Sequence, residues 1–188
     1  LDTGVRAQGN QTGGTSQVKA QDGILGGSRW GIEGTENIGG GINAFFRLES
    51  GVNPSAGTMA ATDSKTVIGG TTTSTLFDRQ AYVGLNAGQL GQVKLGRDNT
   101  FAYDAIGAGV LDITAGALDG MGGQATVDAV YTPNAALSLA ATKNGTRRLS
   151  NLVKYTNKIS DIDVGVMYSI GGLEGSTTNN SVWGYSAG

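Results

Sequence analysis

The sequence predicts an all-β chain, a transmembrane antiparallel up-and-down β-barrel, on three observations. Eight segments alternate apolar and polar side chains with period two, as strands with two unlike faces do. The connections between them alternate between long polar stretches and short turns. Of 188 residues, 33 are glycine, 2 are proline and only 38% are hydrophobic, where ordinary proteins hold roughly 7% glycine. No run of 18 apolar residues occurs, so a chain that crosses a membrane must do so with strands.

The elements follow in order. Residues 1–8 read as a first strand and residues 8–27 as a long polar connection. In residues 28–36, Trp30 and Ile32 stand against Arg29 and Glu33, and a tight turn follows at Gly39, Gly40 and Gly41. In residues 41–51, Ile42, Ala44, Phe46 and Leu48 oppose Asn43, Phe45, Arg47 and Glu49. A second long polar stretch covers residues 53–75. Residues 79–86 set Ala81, Val83 and Leu85 against Gln80, Tyr82 and Gly84, and residues 92–98 set Val93 and Leu95 against Gln92 and Lys94. A short turn at residues 87–91 joins them. A very long third connection, residues 99–146, precedes residues 149–156, where Val153 and Tyr155 oppose Ser150 and Lys154 and Leu152 breaks the pattern. Residues 157–160 turn into a clean alternation over residues 161–170, from Ile162 to Ile170 against Asp161, Asp163 and Met167. A fourth polar loop leads to a last strand at residues 181–188.

A two-sheet sandwich is the competing architecture, but connections beyond about 15 residues are uncommon in compact soluble domains. A closed barrel satisfies every backbone group between strands, so it crosses lipid without long apolar runs. Only alternate residues face lipid, which explains the thin hydrophobic count. Aromatic residues near strand ends, among them Trp30, Phe77, Tyr155, Tyr168 and Trp183, suit the interfacial girdles of such barrels.

The chain is chemically quiet. It has no histidine and no cysteine, which excludes imidazole and thiolate metal sites, cysteine nucleophiles and Ser-His-Asp triads. No cofactor is implied. Asp161 and Asp163, two apart on one strand face, read as solvated carboxylates rather than an acid pair. Basic segments interleaved with aromatics, which nucleic acid would need, are absent.

Five ordered motifs carry a resemblance. The run from Ser28-Arg29-Trp30-Gly31 through Gly39-Gly40-Gly41 resembles the second strand and turn of the general porins of Gram-negative β-proteobacteria. Phe46-Arg47-Leu48-Glu49-Ser50-Gly51, Phe77-Asp78-Arg79-Gln80-Ala81-Tyr82-Val83-Gly84-Leu85, Val93-Lys94-Leu95-Gly96-Arg97-Asp98 and Asn151-Leu152-Val153-Lys154-Tyr155-Thr156 match the same family in order. The first three loops carry no recognisable motif. The resemblance implies a 16-stranded barrel in the outer membrane, assembled as a homotrimer and surrounded by outer-membrane lipid and lipopolysaccharide. It implies passive passage of small hydrophilic solutes and ions, no enzymatic reaction, and a third loop folded into the channel as a constriction. Eight strands are about half of such a barrel. Residues 1–188 are therefore expected to form the N-terminal half of a single barrel domain, a partial sequence with residues 99–146 as the constriction loop. A closed eight-stranded barrel is the alternative, but side chains alone fill its interior. A substrate-specific channel and a soluble adhesive β-domain are the remaining alternatives.

Strand direction places Arg29, Arg79 and Arg148 at the starts of descending strands. Arg47 and Arg97 lie near the upper ends of rising ones. The five arginines form one expected basic belt. The resemblance implies that Arg29, Arg79 and Arg148 line the constriction. Simple alternation puts Arg79 on the face of Ala81, Val83 and Leu85, so it needs a bulge or a position above the lipid to turn inward. Arg147 replaces Arg148 if register slips by one. From Asp98 to Thr142 there are five acids (Asp98, Asp104, Asp112, Asp119, Asp128) and no base. An inward loop would set an acidic face against a basic wall, and such a transverse field sorts ions and orients dipoles.

Overall fold

A computed structural model describes residues 1–9, 16–22, 27–59, 76–106, 148–171, 178 and 181–188. Within them the chain forms β1 (Thr3–Gln8), β2 (Gln17–Asp22), β3 (Arg29–Gly39), β4 (Ile42–Asn53), β5 (Thr58–Met59), β6 (Gln80–Asn86), β7 (Gln92–Asn99), α1 (Phe101–Ile106), β8 (Arg148–Ile159), β9 (Ile162–Ser169) and β10 (Val182–Ala187). One sheet runs β10-β9-β8-β7-β6-β4-β3, with β5 paired to β4, and every pairing is antiparallel. This is an up-and-down meander of a transmembrane barrel wall. Its longest strands reach 11 and 12 residues, enough to cross a bilayer when tilted, which takes about 9–11 residues.

Local chemistry sets the turns. Gly39, Gly40 and Gly41 all hold positive φ, at 92°, 63° and 79°, a run that side chains with a Cβ do not adopt. At another short connection, Ile159 pairs directly with Ile162, leaving Ser160 and Asp161 as a two-residue turn with Ser160 at φ 56°.

The alternation sorts the sheet into two faces. Register aligns Ile32 with Leu48, Phe46 with Val83, Val83 with Leu95, Leu95 with Val153 and Tyr155 with Val166. These apolar side chains are open to the surroundings, Val83 at 58% and Val166 at 57%. An exposed apolar band of this extent fits contact with lipid rather than water. Aromatics flank it, with Trp30 tilted against Phe77 at 6.2 Å and Trp183 stacked on Tyr185 at 6.1 Å. At the short-turn side the Tyr155 hydroxyl donates to the Leu90 carbonyl at 2.9 Å. The opposite face carries Glu33, Arg47, Gln80, Lys94, Asp98 and Lys154, and several of these polar side chains are buried.

Leu152 breaks the alternation because the ladder does. Gly96 pairs with Leu152 and Asp98 with Leu149, so Ser150 and Asn151 together oppose Arg97 in a β-bulge. Asn151 takes φ 53° and Gly96 φ 132°. A Cβ at Gly96 would lie 2.3 Å from the Ala81 carbonyl oxygen, so only glycine lets β6 and β7 close here.

Four expectations are corrected. Residues 8–27 contain β2, which pairs with β1 from Thr3 opposite Asp22 to Gln8 opposite Gln17. Val18 and Ala20 alternate with Lys19 and Gln21, a strand signal masked by the polar character of the segment. β1 and β2 form their own two-stranded sheet, so β1 is not a wall strand, and β3 and β10 are the edges of the main sheet as described. Asn99 is the last residue of β7, not the first of the third connection. The third connection opens with a helix, α1, that no periodicity announced. The hairpin is tied to the wall. The Asp2 amide donates to Ser28 Oγ at 2.7 Å, and the Ser55 hydroxyl and backbone amide hold the Asp22 carboxyl below the usual carboxylate range.

Candidate functional site

A line of charged groups crosses the polar face from β3 to β8 and ends on α1. Glu33 and Arg47 are register partners on β3 and β4, and the Arg47 Nε donates to Glu33 at 2.8 Å. Arg47 Nη1 also reaches the Gln80 side-chain oxygen at 3.3 Å on β6. The Gln80 amide nitrogen donates to Asp98 Oδ1 on β7. Asp98 Oδ2 lies 3.1 Å from Lys94 Nζ and 3.5 Å from Lys154 Nζ. Lys154, on β8, continues to Asp104 Oδ2 at 2.6 Å and to the Asn99 carbonyl at 2.9 Å. Three cations (Arg47, Lys94, Lys154) and three anions (Glu33, Asp98, Asp104) are thus linked across the wall, with Asp98 shared by the two lysines. Buried charges are tolerated when paired and hydrogen-bonded in this way.

The helix α1 rests on this face. The Phe101 ring sits over Gly165 on β9, where a Cβ would come within 2.5 Å of the ring carbon Cζ. The Lys154 ammonium lies 4.8 Å from the centre of the Phe101 ring, and the Arg148 guanidinium 5.1 Å from that of Tyr103. Asn99 donates to Asp104 Oδ1 at 2.9 Å, fixing the carboxylate from its other side. The chain therefore turns at Thr100 onto the polar face instead of away from the sheet. Beneath α1, toward the short-turn end, Phe101, Lys94, Lys154, Lys158 and Asp163 line an open cleft of about 530 Å³.

The structure places the expected residues unequally. Arg47 and Asp104 belong to the network. Arg79 precedes β6 in a bend, and this irregular backbone lets its Nε reach the Glu49 carboxylate at 2.5 Å despite simple alternation. Its guanidinium also lies near Gly27, where a Cβ would be 3.6 Å from Nη1. Arg29 is exposed at the start of β3, opposite Gly51. Arg148 is buried, at 1% exposure, against Tyr103. Arg97 is on the other parity, opposite Ala81, and its Nε donates to the Asp78 carbonyl at 2.6 Å while Nη1 donates to Ser150 at 3.2 Å. It braces the bulge rather than joining the polar line. Asp112, Asp119, Asp128 and Arg147 lie outside the described residues. Lys94, Lys154 and Gln80 were missed as site residues. The alternation had put Lys94 and Lys154 on the polar side, but the expected belt was drawn from arginines at strand ends alone.

Among the described residues no group of histidine, cysteine or carboxylate side chains is arranged to hold a metal. The arrangement can attract, orient and resist charged solutes.

Comparisons with known proteins agree with this geometry. An outer membrane porin protein of Bordetella pertussis is 38% identical over 87 residues, which cover 46% of this chain and 20% of that protein. The structure of an anion-selective porin from Comamonas acidovorans superposes with a TM-score of 0.64 at 23% identity, over 99% of this chain and 50% of that one. The chain thus spans about half the length of the solved porin it matches. A family model described as Gram-negative porin matches residues 1–188 in full, and the chain belongs to that family of outer-membrane β-barrels.

Proposed function

We propose that the polar face of this sheet lines a water-filled outer-membrane channel for passive diffusion of small hydrophilic solutes and ions, with no chemical step. The carrying observation is the seat of α1 on that face, held by Lys154, Asp104 and the Phe101–Gly165 contact. A segment that turns inward at this point narrows the path that the wall encloses. In this reading residues 1–188 supply the N-terminal half of one barrel and residues 100–146, after the end of β7, its constriction loop. Arg29, Arg47, Arg79 and Arg148 are the basic wall. Asp104, Asp112 and Asp119 are the acidic counter-face, and Arg97 is the brace behind the wall. The intact protein assembles as a homotrimer in lipid and lipopolysaccharide, with no nucleic acid, metal or cofactor. Its relatives' printed names, outer membrane porin and anion-selective porin, support the same class.

Planar-bilayer recording tests the reading. The intact protein is expected to insert in triplets of equal conductance steps, with conductance rising in proportion to salt concentration. Conductance that saturates with solute would instead indicate a substrate-specific channel, and an absence of steps would remove the channel altogether.

The Phe101 seat yields a second expectation. Replacing Gly165 by valine puts a branched side chain where the ring now lies, and overpacking of this kind costs about 1–3 kcal/mol. The ring is expected to leave its seat, so the open channel should become wider and noisier while the heat-modifiable oligomer persists. Unaltered single-channel traces from a well-folded variant would mean that Phe101 does not hold α1.

A further inference from the structure

Lys94 and Lys154 are direct register partners on β7 and β8, and like charges placed opposite one another destabilise a sheet. One acid between them, Asp98, answers this repulsion. Lys94 is the nearer of the two to it, at 3.1 Å against 3.5 Å. The shortest contacts of Lys154 go elsewhere, to Asp104 Oδ2 at 2.6 Å and the Asn99 carbonyl at 2.9 Å, with the Phe101 ring beneath its ammonium. The Lys154 side chain is only 4% exposed, while Asp104 is 41% exposed. The wall supplies a fixed, water-shielded cation, and the helix brings the partner to it. We propose that Lys154 is a positioning residue, an ionic latch whose bond to Asp104 sets how far α1 closes over the channel. This rests on the channel reading above. Lys94 completes the pairing of Asp98, so the β7–β8 wall keeps a neutralised acid when the latch is open. What is lost is the tie to the helix.

The proposal assigns different duties to two residues of one network. Among the described residues, opening the latch leaves the Asp104 carboxylate with the Asn99 side chain, and a hydrogen bond in which one partner is charged holds less firmly than that bond and an ion pair together. The helix then moves between seated and lifted positions. The chain contains no cysteine, so a cysteine at position 154 can be modified selectively within these residues.

The test uses the intact protein in planar bilayers, with the heat-modifiable oligomer on gels as the check on folding. Lys154→Met and Asp104→Asn are each expected to raise the mean open conductance and the open-state noise by the same amount. The double variant is expected to match either single one. Lys154→Cys should behave likewise, and treatment with 2-bromoethylamine should restore the wild-type trace, because its thioether forms with loss of bromide and a proton and carries an ammonium in place of the lysine's. Methylation of the same thiol should restore nothing. Three results would overturn the latch: a silent Asp104→Asn beside an altered Lys154→Met, additive effects in the double variant, or no rescue by the ammonium. Asp104→Asn lies outside the strands, so it reads the latch even where Lys154→Met fails to assemble. A loop-deleted protein separates the two readings. If it conducts more while Asp104→Asn and Lys154→Met do not, the latch fails and the channel stands. If it conducts no more than wild type, the segment lies outside the channel, and the inward-loop reading on which the latch rests fails with it.

Discussion

Removal of residues 101–146 from the intact protein is expected to raise single-channel conductance while leaving assembly unchanged. The ladder between β7 and β8 runs from Gln92 opposite Thr156 to Asn99 opposite Arg148, and none of its pairs involves the deleted segment. Asn99 and Arg148 face each other directly, so a turn of two residues can close the hairpin. The deletion removes α1, its Asp104 carboxylate and the ring over Gly165, all of which stand on the polar face. A wider water path should follow. Lys154 and Arg148 lose their partners on α1 but gain solvent, which limits the stability cost. An oligomer that forms normally but conducts no more than the unaltered protein would place the segment outside the channel.

The basic wall carries the second large expectation. Replacing Arg29 by glutamine removes an exposed charge at the start of β3. At a distance of about 8 Å through water, one unit charge acts on a passing ion with about 0.5 kcal/mol, or roughly two-fold in occupancy. Salt screens this over about 10 Å at 0.1 M. Because the charge attracts anions and repels cations, the ratio of anion to cation permeability should fall about four-fold in dilute salt and less in concentrated salt. Arg148→Gln should shift selectivity in the same direction and also unsettle Tyr103, so its traces should be noisier. Arg6→Gln, on the β1–β2 hairpin where Arg6 binds Gln21 at 3.1 Å, should change little. Reversal potentials under a salt gradient measure all three. Equal values for Arg29→Gln, Arg148→Gln and wild type would reduce these arginines to surface charges.

The wall was legible in the sequence because a strand between lipid and water writes its two faces directly into alternate residues. Ile32, Phe46, Val83, Leu95, Val153 and Val166 all emerged on one face in register. β2 escaped because its apolar face is small, only Val18 and Ala20 opposite Ala7 and Val5, too short a stripe to stand out in a polar segment. The bulge at Ser150 and Asn151 appeared only as a fault at Leu152, since a change of register leaves no residue type of its own apart from Gly96. α1 was hidden for another reason: six residues are too few to show helical periodicity, and its face is chosen by Phe101 meeting a glycine 64 positions away. The site was half visible. Arg47 could be placed from alternation, and Arg79 needed a bend that sequence does not show. The link from Lys94 and Lys154 through Asp98 depends on register between strands that bring residues 56 positions apart together, which a single sequence does not state.

The claim that the polar face encloses water can be tested by charged thiol reagents on single cysteines. Thr35, exposed on the polar face of β3, and Val83, on the apolar face of β6, are the two positions to compare. Under continuous recording, a membrane-impermeant sulfonate reagent is expected to lower the current through Thr35→Cys channels in discrete steps, one for each subunit. Val83→Cys channels should be unaffected, because lipid covers the thiol. A response at Val83→Cys with none at Thr35→Cys would turn the sheet inside out and contradict the account.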